Sequence, residues 1–309
     1  MSKLKFAIIT VLVLSVFVGL VAYGNFRDVA QKLAEYPVSY LLLALALAFI
    51  NYFLRFLRWA YFLKLLEIDV PFRSSVVIFM TGLALSITPA KVGEFLKCYL
   101  LRRKFNVPMS GSASVVVMER LGDVGSVLLV GLTGIAFLPE MSFWVIGCAA
   151  LSLIGLVVIL KSGHSELLYR LPFLSRWKQN IKISETSFKR LVKADAITVS
   201  LFLGVLAWLS EGIALYVILK GLGAEVKLLW AVPVYAWSTI VGAVSTLPGG
   251  IVGTEASMVA LLLQTGIGRA DAATAVLLVR LATLWFAVLI GFVALTIIMR
   301  NRGTRDTSE

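Results

Sequence analysis

The stretch Ile87-Thr88-Pro89-Ala90-Lys91-Val92-Gly93-Glu94 interrupts a hydrophobic region with a proline, a glycine and two charges. The residues on either side are too apolar for an ordinary surface loop. Irregular backbone that carries charge at membrane depth is tolerated only where it is buried in protein or lines a cavity. A related stretch recurs downstream as Thr246-Leu247-Pro248-Gly249-Gly250-Ile251-Val252-Gly253-Thr254-Glu255. The predicted fold is built around these two breaks.

The composition is that of an all-α integral membrane protein. Of the 309 residues, 60% are hydrophobic and 15% are charged, and the mean hydropathy is +0.94. Apolar runs of about 18 residues or more recur, and each predicts a membrane-spanning helix. The net charge of +12 is concentrated between these runs, which indicates orientation by the positive-inside rule rather than nucleic-acid binding. We therefore expect a single transmembrane domain over residues 1–309.

The sequence contains no motif for metal binding or covalent catalysis. Cys98 and Cys148 have neither metal-ligand nor redox spacing, and the single histidine, His164, lies beside a basic segment. The HExxH and Gly-x-Ser-x-Gly motifs are absent, so zinc hydrolysis and histidine-assisted serine chemistry lack their parts. We expect no metal, no cofactor and no enzymatic activity.

Six full spans and two re-entrant hairpins are predicted from the apolar runs. The spans cover residues 6–23, 38–63, 111–137, 142–161, 196–219 and 270–299. Each hairpin has two limbs around one break, at residues 75–87 with 90–101 and at residues 228–247 with 254–266. At 1.5 Å per residue the limb 75–87 reaches only about 20 Å, whereas the hydrocarbon core is about 30 Å thick. Such a limb is therefore too short to cross the membrane, and we interpret it as one half of a re-entrant hairpin.

The charges between the spans predict the orientation of the chain. Residues 162–195 form the longest basic segment, which we interpret as a cytoplasmic loop with an amphipathic helix on anionic headgroups. Both termini are then cytoplasmic, and the tail 300–309 is expected to be disordered. In this topology the first hairpin enters from the cytoplasm and the second from outside. The expected location is the cell membrane.

The two halves of the chain have matching spacings. Glu94 precedes Arg120 by 26 residues, and Glu255 precedes Arg280 by 25. By helical rise, each arginine lies about 15 Å from one end of its span, Arg120 from the cytoplasmic end and Arg280 from the outer end. Chance spacing in an apolar sequence is the alternative to an inverted repeat, the plan of many secondary transporters. The repeats would cover residues 6–137 and 142–299.

Ten charged side chains fall inside the predicted spans and hairpins. Each costs about 2.5–3.5 kcal/mol at a helix centre, so mutual pairing is expected. The pairs either lock the hairpins to the spans or line a cavity for an anionic headgroup such as phosphate. The predicted substrate-binding residues are Asn51, Arg55, Arg58, Lys91, Glu94, Glu119, Arg120, Asp123, Glu211, Glu255 and Arg280. The predicted hairpin tips are Pro89, Gly93, Pro248, Gly249, Gly250 and Gly253.

Several of these elements in order resemble one known family. They are Asn51 with Arg55-xx-Arg58-Trp59, Pro89-xxx-Gly93-Glu94, Glu119-Arg120-xx-Asp123, Pro248-Gly249-Gly250 with Gly253-x-Glu255, and Arg280. Together they are similar to the lysylphosphatidylglycerol synthase transmembrane-region family, which includes the flippase domain of the bacterial multiple peptide resistance factor. The resemblance covers nearly the whole chain. It implies translocation of a phospholipid or polyprenyl-phosphate lipid between leaflets. The soluble aminoacyl-transferase domain of that factor has no counterpart, so lysine transfer is not expected.

These residues are compatible with three functions. The first is a lipid flippase or transporter for an anionic phospholipid or polyprenyl phosphate, held near the midplane between the two hairpins. The second is an intramembrane enzyme that acts on a lipid headgroup through Glu and Asp. The third is a membrane scaffold subunit that uses its basic loop. A membrane lipid is the expected partner, nucleic acid is not, and homo-oligomerisation is left open.

Overall fold

A computed structural model describes residues 3–134, 147 and 178–303, and all the regular structure in these residues is helical. The first half contains α1 (Lys3–Tyr23), α2 (Phe26–Glu35), α3 (Val38–Leu65), α4 (Phe72–Leu83), a 3-10 helix (Pro89–Phe95), α5 (Leu96–Phe105) and α6 (Met109–Leu132). The second half contains α7 (Lys178–Leu191), α8 (Ala194–Gly221), α9 (Leu228–Val244), a 3-10 turn (Pro248–Gly250), α10 (Gly253–Gln264), α11 (Arg269–Arg280), a π-helical turn (Leu281–Trp285) and α12 (Phe286–Gly303).

Three of the described helices are long and apolar enough to cross a membrane. They are α3, α8 and the continuous helix Arg269–Arg300, with 28, 28 and 32 residues. A fourth crossing results if the pair Val13–Tyr23 and Phe26–Glu35, bent by 96°, counts as one span. α6 has 24 residues, about 36 Å by helical rise, but it carries three charges.

The predicted boundaries differ from the structure at residues 24–37 and at the C-terminus. Residues 24–37, which connect the first two predicted spans, contain α2, whose first turn is capped because the Asn25 side chain accepts a hydrogen bond from the Arg27 amide. The predicted span 142–161 lies outside the described residues, apart from a single helical residue at 147. Within the basic segment 162–195, α7 is the described helix. At the C-terminus α12 continues to Gly303, and residues 304–309 are outside the described part.

The first break separates α4 from α5. α4 ends at Leu83, and Pro89 then begins the 3-10 helix because its fixed φ suits a first helical position. The Thr88 hydroxyl donates to the Leu85 carbonyl (2.7 Å) and accepts from the Gly93 amide (2.8 Å). A Cβ at Gly93 would lie 2.3 Å from the Leu85 Cβ, so only glycine fits against this turn.

The second break separates α9 from α10 and uses left-handed backbone. Gly249 and Gly250 have φ of 64° and 67°, a conformation that glycine adopts without steric cost. Val252 has φ of 75°, which is unfavourable for a β-branched residue. Such outliers persist only where the surroundings hold them, and they concentrate at functional sites.

The two breaks contact each other. The 3-10 helix at 89–95 lies against the 3-10 turn at 248–250. A Cβ added to Gly249 would lie 3.3 Å from Ile87 Cγ1, so the two segments approach to van der Waals distance. Around them α3 packs along α8, α4 along α12, and α6 along α9. The fold therefore brings together two sequence elements that lie about half the chain apart.

Gly291 sets the distance between α12 and the end of α4. A Cβ there would lie 2.0 Å from the Ala84 backbone nitrogen, a contact that side-chain rotation cannot relieve. We expect Gly291→Ala to separate the helices and to destabilise the protein by about 1–3 kcal/mol, measured as a lower Tm in detergent. Gly19→Ala is the control, since nothing lies within 4 Å of its added Cβ. Equal Tm values for the two variants would contradict the close approach.

Candidate functional site

Asp123 on α6 is bonded by three guanidinium groups. Arg55 Nη2 donates to Asp123 Oδ2 at 2.8 Å, and Arg58 Nη2 donates to Oδ1. Arg120 Nη1 lies 3.0 Å from Oδ2. The arrangement follows from helix periodicity, because Arg55 and Arg58 share one face of α3 and Arg120 is one turn before Asp123 on α6. One carboxylate thus connects two helices through three positive charges.

Lys97 on α5 forms a second group of ion pairs. Its Nζ donates to Glu119 Oε2 at 2.6 Å and lies 3.6 Å from Glu94 Oε2. Glu94 Oε2 in turn lies 3.1 Å from Arg120 Nη2. Glu94 therefore joins the Lys97 pair to the arginine group and attaches the first break to α6.

The Lys97 side chain is the functional candidate that sequence reasoning missed. By its position in the sequence, Lys97 groups with Arg102, Arg103 and Lys104, basic residues that predict a cytoplasmic end for this limb. In the structure it is 2% exposed, and its Nζ lies 4.5 Å from the centre of the Trp59 ring, a cation–π contact. The spacing of Glu94 and Lys97, one turn apart on the same limb, was the available signal.

These residues form what we call the first charge cluster, which has an excess of one positive charge. Its members are Arg55, Arg58, Lys97 and Arg120, with Glu94, Glu119 and Asp123. Arg120 is the most accessible of them, with a side-chain exposure of 25% against 0–12% for the others. Arg58 is fully buried, so it does not reach the membrane surface as a snorkelling side chain would.

A second charge pair lies at the second break. Arg280 Nε is 2.6 Å from Glu255 Oε1, and Arg280 Nη2 donates to the Gly249 carbonyl at 2.8 Å. Both side chains are almost fully buried. Glu255 Oε2 has no hydrogen-bond partner in the described part of the chain. Arg280 thus fixes both the backbone of the break and the first turn of α10.

Glu211 on α8 lies between the two groups. The Tyr235 hydroxyl donates to Glu211 Oε2 at 2.8 Å. Glu211 also lies within electrostatic range of Arg55, and Tyr235 within that of Arg280. The first charge cluster, Glu211 and the pair of Arg280 with Glu255 therefore form one polar seam through the apolar interior.

The remaining predicted residues have simpler surroundings. Asn51 Nδ2 donates to the Ala207 carbonyl at 2.8 Å and so links α3 to α8. The Lys91 side chain lies outside the described residues, as does that of Pro89. Gly253 permits close packing, since a Cβ there would lie 3.1 Å from Ser245 Cβ. Among the described residues no three His, Cys, Asp or Glu side chains group as ligands for a metal ion.

Comparisons with known proteins identify the family of this chain. Residues 4–291 match the family described as "Lysylphosphatidylglycerol synthase TM region". The chain belongs to this family. Its members with similar sequences include a UPF0104 membrane protein of Methanothermobacter thermautotrophicus, 24% identical over 93% of both chains. A UPF0104 membrane protein of Pyrococcus horikoshii is 25% identical over 86% of this chain and 88% of its own. One of Methanocaldococcus jannaschii is 23% identical over 70% of this chain and 94% of its own.

Membership of the lysylphosphatidylglycerol synthase transmembrane-region family makes this chain an integral membrane protein with helical spans. The polar seam consequently lies in a protein whose surroundings are hydrocarbon. Charges in such a position are expensive, face the protein interior and mark substrate or ion pathways. The pairs described above satisfy most of this requirement, and Arg120, the most accessible cation of the seam, is the group that an anion would meet first.

Proposed function

We propose that this protein moves an anionic phospholipid or polyprenyl-phosphate lipid between the leaflets of the cell membrane. The observation that carries the proposal is the first charge cluster, which is largely buried, adjoins the first break and places an accessible arginine among three carboxylates and three more deeply buried cations. Arg120, a quarter exposed, would bind the headgroup oxyanion. The lipid tails would remain in the bilayer while the headgroup passes between the breaks.

The order of elements in the two halves supports an inverted repeat. Each half has a long helix with a buried polar residue, a helix before the break, the break at a proline, and a helix that carries the deep arginine. α3 to α6 correspond in this way to α8 to α11. The two breaks contact each other, as they would about an axis in the membrane plane. In this proposal there are six full spans, and both termini are cytoplasmic.

The ion pairs around Glu94 suggest how the headgroup would bind. Arg120 holds Glu94 at 3.1 Å, and Lys97 lies 3.6 Å from the same carboxylate oxygen. A phosphate at Arg120 would compete with Glu94, which would then move onto Lys97. Because Glu94 belongs to the break, occupation of the site would shift the break. The headgroup shifts the equilibrium between two conformations of the break only if it binds one of them more tightly than the other.

The test is leaflet exchange of a fluorescent phosphatidylglycerol in vesicles that contain purified protein. Arg120→Gln removes a charge-assisted hydrogen bond and is expected to slow exchange about 10- to 100-fold. Arg103→Gln is the matched control, because Arg103 is an exposed arginine at the end of α5. Equal rates for wild type and Arg120→Gln would refute the site. Recovery of chemically unchanged lipid is expected, whereas a cleaved headgroup or released phosphate would indicate the enzymatic alternative.

A further inference from the structure

A cavity of about 380 Å³ lies between the end of α3 and α7, and none of its lining residues belongs to the polar seam. Its lining residues are Leu66, Lys182, Ile183, Thr186, Ser187 and Arg190. This volume lies within the range of about 300–1,000 Å³ typical of ligand sites. The cavity is therefore large enough for a lipid headgroup.

The position of α7 is fixed, so the cavity is part of the fold. The Ser184 hydroxyl donates to the Ser110 carbonyl at 2.7 Å, and the Ser114 hydroxyl donates to the Ser184 carbonyl at 3.0 Å. These bonds attach the middle of α7 to the first turns of α6. At its end Leu191 is fully buried. α7 consequently packs on the protein and turns its polar face to the cavity.

The six described lining residues include two cations and no carboxylate. Lys182 and Arg190 lie eight residues apart on α7, and the Thr186 hydroxyl lies midway on the same face. Glu67 approaches Arg190 only at 3.5 Å, and the two side chains are 82% and 48% exposed. An exposed pair at that distance contributes little, so Arg190 remains available to another anion.

The cavity also lies at a defined depth. Leu66 directly follows α3, a helix of 28 residues that qualifies as a full span, so the cavity is at a membrane–water boundary. Lipid phosphates lie at this level and are attracted by clustered Lys and Arg. Leu66 and Ile183 supply apolar surface beside the two cations. This combination suits a phosphate that is attached to acyl chains better than it suits a soluble anion.

We propose that this cavity is a stationary binding site for the phosphate of an anionic phospholipid from the adjacent leaflet. Lys182 and Arg190 bind the phosphate, Ser187 offers a hydroxyl group to the headgroup, and the acyl chains leave past Leu66. The bound lipid stabilises the contact of α7 with α3 and α6. The site does not depend on transport through the polar seam.

The test is lipid binding by native mass spectrometry, with phosphatidylglycerol and phosphatidylcholine titrated onto the purified protein. The double variant Lys182→Gln/Arg190→Gln is expected to bind phosphatidylglycerol about tenfold more weakly or worse, with phosphatidylcholine unchanged. Thr186→Trp fills the cavity without changing the charge and should weaken binding similarly. The matched control is Lys189→Gln/Lys193→Gln, two exposed lysines outside the lining, one of which pairs with Glu185.

Three results would overturn the proposal. An equal loss in the Lys189→Gln/Lys193→Gln control would show that only the surface charge of this face matters. Wild-type binding by Thr186→Trp would show that the cavity is not used. Displacement of phosphatidylglycerol by inorganic phosphate at comparable concentration would assign the site to a soluble anion. The Arg120→Gln variant should retain this binding while its leaflet exchange slows, which separates the two proposals.

Discussion

Asp123→Ala is expected to destabilise this protein more than any other single change in the first charge cluster. The substitution leaves Arg55, Arg58 and Arg120 without the carboxylate that they share. Removal of one partner from a buried ion pair costs about 3–5 kcal/mol, because the remaining charge stays buried without compensation. Here three charges are affected, and one of them, Arg58, is fully buried.

A loss of that size is a large part of the total stability of a typical protein, about 5–15 kcal/mol. We expect a Tm at least roughly 10 °C lower in detergent, together with a lower yield of monodisperse protein. Glu225→Ala, in the exposed connection between α8 and α9, is the control and should leave the Tm unchanged. Arg58→Met combined with Asp123→Ala should recover part of the loss, because it removes the most deeply buried of the three cations. A Tm for Asp123→Ala equal to that of the control would mean that Asp123 is not the centre of the cluster.

The features of this fold that the sequence predicts are those with local causes. The two breaks follow from Pro89 and Pro248 with their glycines, since proline ends a helix and glycine permits left-handed backbone. The long helices follow from apolar runs that are longer than a bilayer requires. These local signals are sufficient to predict the fold class, an all-helical membrane protein.

The features that sequence reasoning did not reach depend on tertiary contacts. The role of Lys97 is decided by Glu119 on another helix and by Trp59, neither of which is near it in sequence. The hydrogen bond from Tyr235 to Glu211 likewise joins two different helices, α9 and α8. For Asn51 the periodicity places the side chain on the face of Arg55, but its amide donates to a carbonyl of α8 instead. Spacing predicts which residues share a helix face, whereas it does not predict their partners on other helices.

The pair of Arg280 with Glu255 allows its structural and functional contributions to be measured separately. Arg280→Met alone leaves Glu255 buried and unpaired, and it removes the donor to the Gly249 carbonyl. We expect a loss of about 3–5 kcal/mol and no leaflet exchange above the protein-free background. Glu255→Leu alone should cost a similar amount, since Arg280 then loses its carboxylate.

The double variant Arg280→Met/Glu255→Leu decides between the two roles. Replacement of both members of a buried ion pair by apolar residues of similar size is often neutral or stabilising, so this variant should be more stable than either single variant. If the pair only attaches the second break to α11, leaflet exchange should return together with the stability. If Arg280 contributes to headgroup binding, the double variant should fold and remain inactive. We expect the second result, because α11 places Arg280 on the polar seam directly beside the second break. Exchange at the wild-type rate in the double variant would reduce the second break to a structural element and restrict headgroup binding to the first charge cluster.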